Sequence, residues 1–137
     1  MEKLLKAARE GDIDELKRII NSQENEEEEE DDNKIRDFVN SQKPVTNITA
    51  MHLAAKGGYY DICELLFQYG AELDLTNTDE RTPLHFAAMK GFYEICQFFV
   101  DNGAILDPRD VLFFIYRIFL YFLISFHFII YGISFIF

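Results

Sequence analysis

A stretch of this sequence occurs twice, 33 residues apart. The run Thr49-Ala50-Met51-His52-Leu53-Ala54-Ala55 returns as Thr82-Pro83-Leu84-His85-Phe86-Ala87-Ala88, and the match continues to Asp74 and Asp107. Over 26 aligned positions 12 are identical, which is more than composition alone produces. A period of this length restricts the fold to repeat architectures, because each unit must bury its apolar face against the next unit.

Each repeat has the pattern of two short helices. Thr82 is a favoured N-cap residue, and Pro83 suits the first helical position, where its missing N–H costs nothing. The two alanines that follow let helices approach closely, and Gly91 ends the first helix. The second helix has an apolar stripe at helical spacing before Gly70, formed by Ile62, Leu65, Leu66 and Tyr69. The unit is therefore helix, turn, helix and loop.

The period, the run Thr82-Pro83-Leu84-His85-Phe86-Ala87 and the Gly-Ala-x-Leu-Asp after each second helix resemble the ankyrin repeat. The resemblance covers about residues 49–107 and implies an all-α solenoid. It implies structural roles for the motif residues, with the histidines hydrogen-bonding inside the stack: Thr49, His52, Gly70, Thr82, Pro83, His85 and Gly103. The sequence departs from the family pattern where Ala50 replaces the proline and Glu80 replaces the finger-loop glycine.

The resemblance divides the chain into about three repeat units. Residues 1–22, with Leu4-Leu5-Lys6-Ala7-Ala8-Arg9-Glu10-Gly11, are interpreted as a degenerate N-terminal capping repeat. Residues 23–36 are predicted to be a disordered insertion, because eight of the nine residues from Glu24 to Asp32 are acidic and repel one another. Asp37-Phe38-Val39-Asn40 resembles the entry to a finger loop, so residues 37–110 are assigned two ankyrin repeats.

The last segment, 111–137, is apolar at 22 of 27 positions. Ile118 to Phe137 has no formal charge, and 20 helical residues span ~30 Å, which matches the apolar thickness of a bilayer. We predict a C-terminal transmembrane helix that binds membrane lipid and leaves the repeats on the cytoplasmic face, with Arg117 at the interface. The alternatives are a buried helix over the open end of the stack, which would place the protein in the cytoplasm, and a truncated or misread end.

Several functional classes are not expected. The net charge of −11, with only Lys17 and Arg18 as adjacent basic residues, argues against a nucleic-acid partner. No catalytic or phosphate-binding motif is present, so the prediction is no enzyme, no cofactor and no small-molecule substrate. His52 and His85 lack the spacing of metal ligands, and no metal site is predicted. Cys63 and Cys96 lie one per second helix and are predicted to be buried free thiols.

The remaining prediction is a protein–protein interaction scaffold or adaptor. A repeat stack offers a rigid concave surface of finger loops and first helices, which can contact a partner protein. By resemblance, the candidate partner-binding residues are Lys56, Thr76, Thr78, Asp79, Arg81, Met89 and Lys90, with Gly57 beside them. The alternative is an N-terminal ankyrin fragment of a larger membrane protein, a channel or an acyltransferase, whose transport or catalytic part is absent.

Overall fold

The computed structural model describes residues 1–24 and 32–107. Within these ranges the chain forms seven α-helices and no strand. They are α1 (Glu2–Glu10), α2 (Ile13–Glu24), α3 (Asp32–Val39), α4 (Ala50–Gly57), α5 (Tyr60–Gln68), α6 (Pro83–Lys90) and α7 (Tyr93–Asp101). Three helical pairs, α1/α2, α4/α5 and α6/α7, follow the repeats in the sequence.

The pairs stack side by side in two layers. Helix α4 packs between α1 and α6, so the first helices form one layer, which we call the inner layer. Each second helix packs on its own first helix, and α5 also contacts α7; α2, α5 and α7 are the outer layer. Ala54 and Ala55 have no exposed surface, because their small side chains lie where neighbouring helices come together.

Threonines fix where the first helices α4 and α6 begin. The Thr49 hydroxyl accepts a hydrogen bond from the backbone N–H of His52, and the His52 ring accepts one from the backbone N–H of Thr49. Thr82 and His85 repeat this reciprocal cap on α6, whose first residue is Pro83. Both ends of the cap satisfy backbone N–H groups that would otherwise lack a partner.

Glycines end the first helices, and an aromatic ring of the next unit packs against the glycines that end α1 and α4. Gly58 has a φ of 80°, and a Cβ there would lie 2.7 Å from the Phe92 ring. Gly11 has a φ of 76°, and a Cβ there would lie 2.5 Å from the Tyr59 ring. A side chain at either glycine would therefore be disfavoured for two reasons: the left-handed backbone conformation and a clash with the neighbouring aromatic ring.

The predicted disordered insertion over 23–36 is wrong at both of its ends. Helix α2 continues to Glu24, and helix α3 begins at Asp32; residues 25–31 lie outside the described residues. Helix α3 forms because the acidic run stops there and apolar residues follow at helical spacing. Ile35, Phe38 and Val39 occupy positions i, i+3 and i+4 and pack against the core beside α2.

The finger-loop entry predicted at Asp37-Phe38-Val39-Asn40 is consequently also wrong for its first three residues, which belong to α3. Asn40 follows the helix and joins it to the loop after α5. Its side-chain N–H donates to the Gly70 carbonyl at 3.0 Å, and its oxygen accepts from the Glu72 backbone N–H at 2.7 Å. Gly70 itself follows α5 with a φ of 83°, which a glycine adopts without steric cost.

The C-terminal prediction concerns residues that are not described. Within residues 1–24 and 32–107, none of the helices combines the length and apolar character needed to cross a membrane. The segment 111–137, which carries the predicted transmembrane helix, lies outside these ranges.

Candidate protein-binding surface

The second finger loop is a tight turn organised by Asn77. This residue is 7% exposed, and its side-chain oxygen accepts the backbone N–H groups of Asp79 at 3.0 Å and Arg81 at 2.9 Å. Its backbone N–H donates to the Arg81 carbonyl, which closes the loop. Sequence reasoning missed Asn77, although asparagine before a charged turn is a common signal for a side-chain-stabilised turn.

The turn requires a left-handed residue at Glu80, whose φ is 58°. This is the position where the family pattern has a glycine. The backbone N–H of Glu80 donates to the Asn77 carbonyl at 3.0 Å, so the turn closes in spite of the substitution. A left-handed glutamate costs free energy that a glycine would not, because its Cβ approaches the following carbonyl.

The first finger loop closes differently. Thr46 N–H donates to the Lys43 carbonyl at 3.3 Å, which makes Lys43 to Thr46 a β-turn with Pro44 at its second position. Val45 occupies the third position with a φ of 75° and is 91% exposed. This is the geometry of a type II turn, which favours glycine at that position. The two fingers are joined where Thr78 N–H donates to the Thr46 carbonyl at 3.1 Å.

His52 ties the second finger to helix α4. Its Nδ1 accepts from the Thr49 backbone, so its Nε2–H donates to the Arg81 carbonyl at 2.9 Å. Burial lowers the pKa of His52 below its usual value, against the opposing influence of its bonds to the backbone of Arg81 and Leu75. The ring is thereby held neutral and acts as a structural bridge. No group of three metal-ligating side chains occurs among residues 1–24 and 32–107.

Four side chains of α4, α6 and the second finger form a cluster on the inner layer. The Lys56 ammonium lies over the Phe86 ring, 5.9 Å from its centre. Met89 lies about one turn after Phe86 on α6, and its sulfur accepts a hydrogen bond from the Arg81 guanidinium at 3.9 Å. Phe86 and Met89 are three residues apart and so lie on the same side of the helix. We call Lys56, Arg81, Phe86 and Met89 the inner cluster.

The structure brings together three of the seven predicted partner-binding residues: Lys56, Arg81 and Met89. Lys90 is exposed and four residues after Phe86, so it extends the same helix face. Thr76, Thr78 and Asp79 are exposed on the finger itself. Phe86 is half-buried and was not among the predicted partner-binding residues. Its spacing of three and four residues to Met89 and Lys90 places it on the same face of α6.

Charge differs between the first and second helices of the pairs α4/α5 and α6/α7. The only charged residues of α4 and α6 are lysines, Lys56 and Lys90. The charged residues of α5 and α7 are all acidic: Asp61, Glu64, Glu94 and Asp101. The molecule as a whole is strongly acidic, yet its inner layer at these repeats is basic.

The cysteines lie in the outer layer, one in α5 and one in α7. Both are buried, as predicted, and no disulfide joins them. Burial raises the pKa of Cys63 to about 12, so this thiol has no thiolate character at neutral pH.

The comparisons with known proteins agree with this geometry. The family model for ankyrin repeats (3 copies) matches residues 4–110, and the chain belongs to the ankyrin-repeat family. The match begins inside α1 and includes the pair α1/α2, which the sequence indicated only weakly. No curated protein matches the sequence significantly.

One similar solved chain comes from the complex of the predatory endopeptidase Bd0816 of Bdellovibrio bacteriovorus with the immunity protein Bd3460. The TM-score is 0.63, with 28% sequence identity over 78% of the present chain. The match covers 49% of the solved chain, so the present chain spans about half of its length. That structure contains a complex between two proteins.

Proposed function

We propose that this chain is a non-enzymatic adaptor that binds an acidic segment of a partner protein through its inner layer and finger loops. The observation that carries this proposal is the inner cluster. It presents two cations, an aromatic ring and a thioether at the junction of two helices and a finger. Ankyrin repeats are protein-interaction modules, and the similar solved chain belongs to a complex of two proteins.

The chemistry of the cluster favours an acidic and partly apolar partner. Arg81 can pair with a carboxylate through two N–H groups, and Lys56, over the Phe86 ring, adds a second positive charge. Phe86 and Met89 supply apolar surface between the charges, and methionine adapts its shape to different partners. A central apolar patch with charges around it is the usual arrangement of a protein interface.

A charge-reversal variant tests the proposal. The full chain carrying Arg81→Glu and Lys90→Glu is used as bait in a quantitative pull-down, beside the wild-type chain. The matched control is Lys17→Glu with Arg18→Glu, which makes the same change in charge on two exposed residues of α2. Captured proteins are identified by mass spectrometry, and circular dichroism verifies that helix content is unchanged.

We expect the Arg81 and Lys90 variant to lose an acidic partner that the control retains. Reversing two charges at an interface replaces attraction by repulsion and weakens binding by about tenfold or more. Retention of the partner by the variant, or equal loss in the control, would refute the inner layer as the binding surface.

A second proposal concerns residues 111–137, which we propose to anchor the chain to a membrane with the repeats on the cytoplasmic side. The supporting observation is the run of 20 uncharged residues from Ile118 to Phe137. Phe, Ile and Leu each contribute about −0.3 to −0.6 kcal/mol to insertion, and together these exceed the unfavourable contribution of His127.

Fractionation tests the anchor. The full chain is compared with a chain that ends at Asp110, and both are extracted with alkaline carbonate. The full chain should remain with the membranes, and the shortened chain should be released. Release of both chains would refute membrane anchoring and would favour a buried helix over the end of the stack.

If the chain is the N-terminal part of a channel or acyltransferase, the same repeats serve as its interaction module.

A further inference from the structure

The outer layer contains a groove that lies away from the inner cluster. It runs between α5 and α7 and has a volume of about 710 Å³. Tyr60 and Phe67 contribute from α5, and Phe98 contributes from α7. Both helices have nine residues, so the groove extends for ~13 Å.

The floor of this groove is aromatic. Phe98 is 9% exposed, and the rings of Tyr60 and Phe67 stand nearly at right angles to it. The ring centres are 5.5 Å and 5.7 Å from that of Phe98. Three rings in this edge-to-face arrangement give the groove an apolar lining, and the face of an aromatic ring carries a partial negative charge that attracts cations.

The rim of the groove is negatively charged. Glu64 lines it from α5, and Glu94 and Asp101 line it from α7, all three with exposed side chains. Asp101 accepts a hydrogen bond from Gln97 at 2.7 Å, which holds its carboxylate in place at the rim. Among the residues that the structure describes, no lysine or arginine lines the groove, so its described lining combines carboxylates with aromatic rings.

A lining of carboxylates and aromatic rings fits a guanidinium group. The planar cation stacks on a ring face, while its N–H groups pair with carboxylate oxygens. The length of the groove is much greater than one side chain and corresponds to about four residues of an extended peptide. The negative rim also repels acidic segments and anionic lipid surfaces, which restricts the occupant to a basic segment.

We propose that the groove between α5 and α7 binds a short arginine-containing segment of a partner protein. This site lies on the outer layer and does not depend on the inner cluster. The chain would then engage an acidic segment on one side of the stack and a basic segment on the other.

A fluorescent peptide titration tests this site. The probe is a labelled Gly-Arg-Ala-Arg-Gly peptide, titrated with the full chain in detergent micelles at physiological ionic strength. Glu64→Gln with Glu94→Gln removes two rim charges without changing side-chain size. The matched control, Glu2→Gln with Glu10→Gln, removes two exposed carboxylates from α1. Circular dichroism verifies that the helix content of each variant is unchanged.

We expect saturable binding to the wild-type chain that the Glu64 and Glu94 variant weakens by about fivefold or more. The control should bind within twofold of the wild type, because salt screens charges that do not line the groove. Tyr60→Leu should weaken binding by about two- to threefold, since it removes a ring but keeps an apolar side chain.

Equal weakening in the Glu64 and Glu94 variant and in the control would show attraction to the overall negative charge and overturn the proposal. Failure of the wild-type chain to saturate, or unchanged binding of Tyr60→Leu, would also overturn it. The Arg81→Glu and Lys90→Glu variant should bind the peptide as the wild type does. This result would show that the groove binds independently of the inner layer. If the inner layer does not bind an acidic partner, the proposal for the groove still stands.

Discussion

Val45→Gly should stabilise the protein, although it removes a side chain. Val45 occupies the third position of the turn from Lys43 to Thr46, with a φ of 75°. Its side chain is 91% exposed, so truncation removes little packing. A β-branched residue is poorly suited to this region of backbone conformation, because its Cβ substituents crowd the neighbouring carbonyl.

Two opposing free energies decide the size of the effect. The left-handed conformation costs about 1–2 kcal/mol for a residue with a Cβ, and glycine removes this cost. Glycine gains conformational freedom in the unfolded chain, which lowers the free energy of unfolding by about 0.5–1 kcal/mol. The free energy of unfolding should therefore rise by about 0.5–1 kcal/mol, which corresponds to a Tm higher by roughly 2–5 °C.

Thr78→Gly is the matched control for this measurement. Thr78 lies 33 residues after Val45 on the second finger, is also β-branched and exposed, and does not have a positive φ. Here glycine relieves no strain, so its unfolded-state freedom should lower the free energy of unfolding by about 0.5–1 kcal/mol. Urea unfolding followed by circular dichroism measures both variants.

The opposite signs of the two effects are the essential result. If Val45→Gly and Thr78→Gly shift the unfolding midpoint in the same direction by similar amounts, the turn at Val45 carries no relievable strain. A Val45→Gly chain less stable than the wild type would refute the reasoning outright.

Three other variants or conditions address the caps and the buried groups. Thr82→Ala should lower the free energy of unfolding by about 1 kcal/mol and Thr82→Ser by much less, measured by urea unfolding, since serine retains the capping oxygen. Because folding lowers the pKa of His52, the folded chain binds fewer protons than the unfolded chain below pH ~6.5. The free energy of unfolding should therefore be highest above pH ~6.5 and fall below it. The His52→Gln variant should lose this part of the pH dependence. Cys63 should resist alkylation at pH 8 until urea unfolds the chain, because its pKa is about 12; rapid modification of the native protein, mapped by mass spectrometry, would contradict this.

The sequence was sufficient for the helical pairs because their signals are local and repeat at a fixed spacing. Thr82, Pro83 and Gly91 mark where α6 begins and ends, and the structure has its bounds at these residues. Helix α3 was missed because the acidic run was interpreted as one segment with the residues after it. The apolar spacing of Ile35, Phe38 and Val39 contained the necessary signal.

The candidate surfaces could be predicted only in part. The first-helix positions Lys56 and Met89 followed from the resemblance, but the contact of Lys56 with Phe86 joins two repeats and depends on how α4 packs on α6. The left-handed φ of Val45 depends on the hydrogen bonds that set the turn, for which Pro44 is only a partial signal. The groove between α5 and α7 arises from the packing of two helices and has no local pattern.

The separation of charge between the layers has a consequence for ionic strength. Packed helices lie about 8–10 Å apart, which is close to the Debye length of ~8 Å at 0.15 M salt. Under these conditions an approaching molecule responds mainly to the face it meets, and the lysines of the inner layer act as a local positive field. Near 0.01 M salt the Debye length grows to ~30 Å, and the net charge of −11 reaches through the whole stack. Association of an acidic partner with the inner layer should therefore be fastest at an intermediate salt concentration, and slower in both dilute and concentrated salt.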